Sequence, residues 1–135
     1  MYSNILLPVS FEEDRNVKAS LEVAQALRAP GGKITCIHVV EQLPHYATEF
    51  VPVAHLEAAR SDLNAGLQKI IEGVEDAHAV VVEGSAAHSI LNFAEDHGKD
   101  LIIVASHRPG MADYLLGSTA AKVVRHAKCA VHVIR

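Results

Sequence analysis

The sequence predicts an α/β fold in which a doubly wound, open, parallel sheet of five strands carries helices on both faces. Five short runs rich in Val and Ile alternate with four stretches whose apolar residues recur at helical spacing. The third and fourth runs are nearly continuous rather than alternating, which is typical of strands buried on both faces. A regular β-α order of this kind produces parallel strands joined by right-handed crossovers.

The predicted elements follow one another without room for a linker. The five strands are expected at residues 4–9, 33–40, 79–83, 100–106 and 130–135. The four helices are expected at residues 14–28, 53–74, 85–97 and 118–127. Ser10 and Glu13 have the spacing of a capping box before the first helix. The sequence Pro30-Gly31-Gly32 is expected to end that helix, and Gly98 to end the third.

Composition and charge restrict the class of protein. With 135 residues, of which 50% are hydrophobic and 21% charged, the chain is expected to form a single domain over 1–135. A formal net charge of -4 gives no general attraction to nucleic acid. No stretch approaches the roughly 18 apolar residues of a membrane span, so membrane insertion is not expected either. Cys36 and Cys129 are too few for a disulfide framework and indicate a reducing, cytoplasmic location.

The start of the fourth predicted helix is the strongest candidate for a phosphate site. The chain has neither G-x-x-x-x-G-K-[ST] nor G-x-G-x-x-G after its first strand, which excludes the two common phosphate loops. Gly117, Ser118 and Thr119 nevertheless precede a helical pattern, and the unpaired N–H groups and hydroxyls of a helix start bind phosphate. The alternative is that Ser118 only caps the helix and Gly117 only turns the chain.

Polar residues at the end of the fourth predicted strand are expected to face the same crevice. Arg108 suits phosphate oxygens, and Ser106 or His107 suits phosphate or ribose. The alternative is an ordinary polar start to a loop. A hydrolase built from Ser106, His107 and Asp113 is disfavoured because no G-x-S-x-G elbow is present and neighbouring strand residues point in opposite directions.

The segment 41–52 is longer than a minimal connection between a strand and a helix. It leaves the second strand at the edge where doubly wound sheets bind ligands, and it is therefore expected to be functional.

Histidine and cysteine spacing predicts no metal site. The chain has nine histidines, but they are scattered, with no H-x-x-x-H pair on a helix and no cysteine at ligand spacing. The two cysteines are expected to be small packing residues.

The last predicted strand, 130–135, is expected at one edge of the sheet. An uncovered apolar edge favours aggregation, so pairing with its copy in a second subunit is predicted, giving a homodimer or a higher oligomer. The alternative is that Arg135 and the end of the chain protect this edge.

Four stretches resemble the universal stress protein (UspA-like) family, and the resemblance covers essentially the whole chain. ILLPVS resembles the family's ILVPVD, IHVVE follows the second strand, and VEGSAAHSIL resembles the family's G-x-P-x-x-x-I segment. The most specific stretch is LLGSTAAKVVRHAKCAVHVIR, which is similar to the family's LLGS…V-x-R-x-A-x-C-x-V-x-V ending. The resemblance implies a Rossmann-like fold of the adenine nucleotide alpha hydrolase-like type, with strand order 3-2-1-4-5.

The family's ATP-binding members resemble G-x-x-G-x9-G-[ST] after the fourth strand. Here Ala105 and Arg108 occupy the first two glycine positions, and eight residues separate Arg108 from Gly117. Gly117-Ser118 is retained. The ASHRP version with its shortened loop resembles a branch of the family that includes nucleotide binders.

The resemblance also implies which residues surround ATP. They are Pro8, Val9, Ser10, Val39, Val104, Ala105, Ser106, His107, Arg108, Gly117, Ser118 and Thr119. The first three would border adenosine, Val39 would meet adenine through its backbone, and residues 104–105 would line the base or ribose. Residues 106–108 would face ribose and phosphates, and residues 117–119 would bind the phosphates. Ser10 stands where the family has Asp, so Mg²⁺ is expected only through the phosphates.

The function implied by the resemblance is regulation in the stress response. ATP would act as a conformational ligand that changes which partner is bound, such as a membrane transporter. No clear base for activating water is evident in the sequence, so the chain is expected not to be an enzyme beyond slow ATP hydrolysis or autophosphorylation. Two alternatives remain open: an interaction module of the same fold that binds no nucleotide, and a true phosphotransferase or hydrolase.

Overall fold

The computed structural model describes residues 1–10, 14–41, 52–106 and 116–135, and these alternate between strand and helix. The strands are β1 (Tyr2–Pro8), β2 (Arg28–Val40), β3 (Ala77–Glu83), β4 (Leu101–Ala105) and β5 (Ala130–Ile134). The helices are α1 (Asp14–Leu27), α2 (Val53–Ile70), α3 (Ala86–Asp96) and α4 (Ser118–His126). None of these helices combines the length and the hydropathy needed to cross a membrane.

All five strands are parallel and form one sheet in the order β3-β2-β1-β4-β5, which confirms the predicted fold class. The chain builds outward from the central β1 through β2 and β3, and then crosses to β4 and β5 on the other side. This reversal creates a switch point between the carboxyl ends of β1 and β4. In doubly wound sheets, ligands bind in the crevice at such a point.

Each face of the sheet is covered by its own pair of helices. Side chains alternate along a strand, so Ile5 packs with Ala24 of α1 and Leu67 of α2, while Leu6 packs on the opposite face with Val123 of α4. These side chains are all fully buried, and each large aliphatic one stabilises the fold by about 1.5–3 kcal/mol. The two apolar layers cover both faces of the sheet beneath the switch point.

A polar network joins β1, β2 and β4 at the amino edge of the sheet. Asp100 accepts hydrogen bonds from the main-chain N–H of Ser3 at 2.9 Å and of Asn4 at 3.0 Å, and from the Ser3 hydroxyl at 3.1 Å. Lys99 Nζ donates to Asn4 Oδ1 and to Thr35 Oγ1, both at 2.7 Å. The three central strands are therefore aligned at the edge opposite the switch point.

The network changes the acidity of both of its charged groups. Burial lowers the pKa of Lys99 to about 8, and the charge of Lys33 adds to this effect while Asp100 opposes it. Burial acts to raise the pKa of Asp100, but hydrogen bonds from Ser3 and Asn4 outweigh it, and the pKa lies below its usual value.

The predicted start of β2 at residue 33 is wrong, because the strand begins at Arg28 directly after α1. Its pairing moves from Tyr2↔Arg28 to Asn4↔Lys33, so two steps along β1 match five along β2. Gly31 takes a φ of 78° in this irregular part. The Pro-Gly-Gly sequence lies beyond the end of α1 as predicted, but inside a distorted strand rather than a turn.

The other predicted helix boundaries are close to the observed ones. Gly98 follows α3 with a φ of 61°, which confirms its predicted role at the end of that helix. α2 ends at Ile70 rather than at residue 74, and α3 begins at Ala86 after Ser85. The predicted capping box of Ser10 and Glu13 extends into residues 11–13, outside the described residues.

Candidate functional site

A cleft of about 500 Å³ opens at the carboxyl edge of the sheet, at the switch point. It lies between the ends of β1, β2 and β4, the first turns of α3 and α4, and residues of α1 and α2. Ten of the expected site residues line it, namely Pro8, Val9, Ser10, Val39, Val104, Ala105, Ser106, Gly117, Ser118 and Thr119. The other two, His107 and Arg108, lie outside the described residues, as does 42–51 of the long segment.

The first turn of α4 faces this cleft without a side-chain cap. Gly117 is the N-cap residue, and no side-chain cap hydrogen bond is made in the described part of the chain. The alternative in which Ser118 caps the helix is therefore wrong, because Ser118 is already the first helical residue. The N–H groups of Ser118, Thr119 and Ala120 have no acceptor within the helix and present partial positive charge to the cleft.

Gly117 is not required for the turn that precedes α4. Its φ of -61° and ψ of 158° are accessible to any residue, and an added Cβ would lie 3.5 Å from the nearest atom, the carbonyl oxygen of Ser106. The absence of a side chain at this position instead leaves the first turn of α4 open to the cleft.

Ser106 holds the end of β4 against its neighbours. Its N–H donates to the carbonyl of Ile134 at 2.9 Å, and its own carbonyl accepts from the N–H of Gly117 at 3.0 Å. Ser106 is 2% exposed. These two main-chain bonds connect β4, β5 and the start of α4, and they fix where the uncapped turn lies.

At the other end of the cleft, the ladder between β1 and β2 stops. The N–H of Val9 donates to the carbonyl of Ile37 at 2.8 Å, and the carbonyl of Val9 accepts from Nδ1 of His38 at 2.8 Å. Val39 follows at the cleft wall, half-buried, and packs on the α3 and α4 side of the sheet. Its main chain lies beyond the last pair of residues that joins β1 to β2.

The walls are mainly apolar, and few of the described lining residues ionise. Sequence reasoning missed nine lining residues, namely Val17, Ser20, Ile37, His38, Val40, Leu63, Ala86, Ile90 and Ala120. Several lie on helix faces whose apolar spacing predicted only core packing. A further lining residue, Glu41, begins the segment 41–52 that was expected to be functional. Among the described lining residues only His38 and Glu41 are ionisable, and both belong to the β2 end of the cleft.

Neither cysteine belongs to the cleft lining. Cys36 is fully buried in the α1 and α2 layer, and burial raises its pKa to about 12, as suits a packing residue rather than a nucleophile. In the described ranges, no three His, Cys, Asp or Glu side chains come together as a metal site would require.

Comparison with known proteins decides the family. The model of the Universal stress protein family matches residues 1–135. The chain belongs to the universal stress protein family. Universal stress protein A homolog 2 of Coxiella burnetii is 31% identical over 99% of this chain and 95% of that protein. Universal stress protein from Methanothermobacter thermautotrophicus is 27% identical over 100% of this chain and 97% of that protein.

Solved structures of other universal stress proteins have the same fold. UspA from Lactobacillus plantarum has a TM-score of 0.73 and 26% identity over 99% of this chain and 98% of that one. A universal stress protein in complex with cAMP has a TM-score of 0.66 at 18% identity, over 99% of this chain and 97% of that one. The Archaeoglobus fulgidus protein in complex with dAMP has a TM-score of 0.64 at 16% identity, over 99% of this chain and 98% of that one.

Proposed function

We propose that this universal stress protein is a cytoplasmic regulatory protein that binds ATP, or another adenine nucleotide, in the cleft at the switch point. The nucleotide would change which partner the protein binds, with a membrane transporter as one kind of partner. The observation that carries the proposal is the uncapped first turn of α4, which opens into the cleft. It supplies anion-binding N–H groups that no side chain of the described residues caps.

Within the described residues, phosphate binding would rely on the main chain and on hydroxyls, and the predicted contact of Arg108 would add to them. The N–H groups of residues 118–120 and the hydroxyls of Ser118 and Thr119 are the donors available at the start of α4. The described lining contains no Lys or Arg, and its one carboxylate, Glu41, lies at the β2 end. Mg²⁺ would therefore be coordinated by phosphate oxygens rather than by these residues.

Base recognition would use the main chain of Val39. In a parallel ladder, alternate residues direct both N–H and C=O toward the same neighbouring strand. Because Ile37 accepts from Val9 on the β1 side, Val39 also directs its donor and acceptor to that side, where β1 has already ended. A neighbouring donor and acceptor match N1 and the N6 amino group of adenine. The two solved structures with adenine nucleotides are consistent with this class of ligand.

The cleft favours binding over rapid hydrolysis. The two ionisable side chains of the described lining, His38 and Glu41, lie at the end proposed for the base, not at the end proposed for the phosphates. Because the described residues place no ionisable side chain at the phosphate end, ATP would be turned over slowly, and its effect would come from the difference in affinity between two conformations.

A pair of substitutions at Gly117 tests the proposal. Ala adds one carbon at ordinary contact distance, whereas Val adds branched carbons over the first turn of α4. In a fluorescence titration with an ATP analogue, we expect micromolar binding by the wild type, nearly the same affinity for Gly117→Ala and loss of binding for Gly117→Val. Failure of the wild type to saturate at millimolar nucleotide would instead support an interaction module without a nucleotide. Several turnovers per second would support the phosphotransferase.

We also propose that the protein forms a homodimer through β5, with higher oligomers built from such dimers. β5 is an edge strand, and its pairing to β4 directs the main chain of Ile134 inward and that of Val133 outward. At the opposite edge, Arg60 Nη2 donates to the carbonyl of Val81 at 3.0 Å and partly covers β3. The outward main-chain groups of β5 are thus more accessible than those of β3 for pairing with a second copy of the chain.

A further inference from the structure

The hydrogen-bond ladder between β1 and β2 ends one bond earlier than the pattern of the two strands would allow. Its last main-chain bond joins the N–H of Val9 to the carbonyl of Ile37 at 2.8 Å. One further step of the same pattern would take the N–H of Val39 to the carbonyl of Val9. That step would extend the sheet by one bond, and it would also use the donor that Val39 presents to the cleft.

The side chain of His38 already donates to the carbonyl oxygen that this step would use as its acceptor. Nδ1 of His38 lies 2.8 Å from the carbonyl oxygen of Val9, and the carbonyl can only accept, so Nδ1 is the donor. The ring is half-buried at the cleft wall, next to Val39 in sequence. A side-chain hydrogen bond to the main chain in this position competes with the sheet ladder, as polar side chains do elsewhere.

We propose that His38 ends the β1–β2 ladder and so keeps the main chain of Val39 open to a ligand. His38 is then a positioning residue, because it acts on the ligand through Val39 and Val9. Its consequence for nucleotide binding rests on the proposed function, but its effect on the ladder does not. Replacing the imidazole donor allows β1 and β2 to close by one more bond and blocks the recognition edge of Val39.

Three substitutions separate the role of Nδ1 from that of the rest of the ring. The side-chain nitrogen of Asn overlies Nδ1 of histidine, that of Gln overlies Nε2, and Leu has no donor. His38→Asn therefore keeps the donor to Val9, whereas His38→Gln displaces it and His38→Leu removes it. Asn and Gln are close in polarity, which makes them a matched pair if the Leu variant does not fold.

Hydrogen exchange measured by NMR on the ligand-free protein tests the ladder directly. We expect the amide of Val39 to exchange at least about tenfold more slowly in His38→Leu and His38→Gln than in the wild type, the factor for one added hydrogen bond. His38→Asn should match the wild type. Equal exchange of Val39 in all four proteins, or no difference between the Asn and Gln variants, would overturn the proposal.

ATP titration of the same four proteins tests the consequence for the ligand. We expect affinity about tenfold weaker for His38→Leu and His38→Gln, and within about threefold of the wild type for His38→Asn. Equal affinity of the Asn and Gln variants would overturn the positioning role. If the wild type binds no ATP, the proposed function fails, and the exchange of Val39 alone decides whether His38 ends the ladder.

Discussion

The ammonium group of Lys99 lies 2.7 Å from the hydroxyl of Thr35, two strands away across the amino edge of the sheet. Lys99 is 7% exposed, and its hydrogen-bond partners there, Thr35 and Asn4, are neutral. Burying a cation among neutral acceptors costs solvation free energy, which is why its pKa falls to about 8. The amino edge of the sheet is thus held together by an ammonium group whose burial carries a desolvation cost.

This relationship predicts a dependence of stability on alkaline pH. The pKa of Lys99 is about 8 in the folded protein and 10.5 for an ordinary lysine, so between these values the unfolded chain binds more protons. The free energy of unfolding should therefore gain a rising contribution from about pH 8 to 10.5. Urea unfolding across this range should show that contribution in the wild type but not in Lys99→Met. Lys18→Met, at an exposed lysine, serves as the control and should keep the wild-type slope.

Asp100 predicts a second dependence of stability on pH, with the same sign but in the acid range. Its hydrogen bonds from Ser3 and Asn4 hold its pKa below 3.8, so the stabilisation is present above that pH and is lost as the pH falls through the folded value. Asp100→Asn should lower the free energy of unfolding by about 1–3 kcal/mol at pH 7. The difference should shrink as the pH falls below 3.8. Asp96→Asn, at an exposed position on α3, should cause little change at either pH.

The turn between β3 and α3 predicts a steric coupling between two residues. Gly84 has a φ of 146°, and an added Cβ would lie 2.6 Å from Oγ of Ser89. Gly84→Ala should destabilise the fold by about 1–3 kcal/mol through backbone strain together with this clash. Adding Ser89→Ala should recover the part caused by the clash. Gly73→Ala, where φ is 81° and no atom lies within 4 Å, measures the cost of a positive φ without a clash in a different backbone region. An unchanged penalty in the double variant would argue against the clash.

The proposed dimer predicts sensitivity at Val133, whose main chain faces away from β4. Val133→Pro removes an outward N–H, which an edge strand tolerates but a paired strand does not. Sedimentation should show a monomer for this variant and a dimer for the wild type and for Val133→Thr. Melting temperatures extrapolated to low protein concentration should remain similar. A dimeric, folded Val133→Pro protein would exclude pairing through this edge.

The sequence was sufficient to predict the fold class because its Val- and Ile-rich runs are separated by helical patterns. Ile102 and Ile103 illustrate how a continuous apolar run indicates a strand covered on both faces. Both are buried, on opposite faces, which requires helices on both sides of the sheet. The start of α4 was also evident from Gly117. The early start of β2 was not evident from the sequence, because it depends on three extra residues that bulge where β2 pairs with β1.

The contacts of His38 and Lys99 escaped prediction for a different reason. Each depends on the register between strands that are distant in sequence, as in the bond from His38 to Val9 or from Lys99 to Thr35. A histidine near a strand end and a lysine before a strand have no local signature of such a partner. Only the three-dimensional pairing of β1 with β2 and β4 identifies it.

Among the described residues, most of the hydrogen-bonding groups proposed to contact the ligand are peptide groups, at the start of α4 and at Val39. Alanine scanning leaves such groups in place, so a conventional scan of this surface would find few sensitive positions even if every one of them contacted a ligand. The informative replacements are those that reshape or cover the main chain, such as valine for a glycine or a side chain that lets a ladder close. Likewise, sequence divergence among relatives at these positions is poor evidence that the binding surface has been lost.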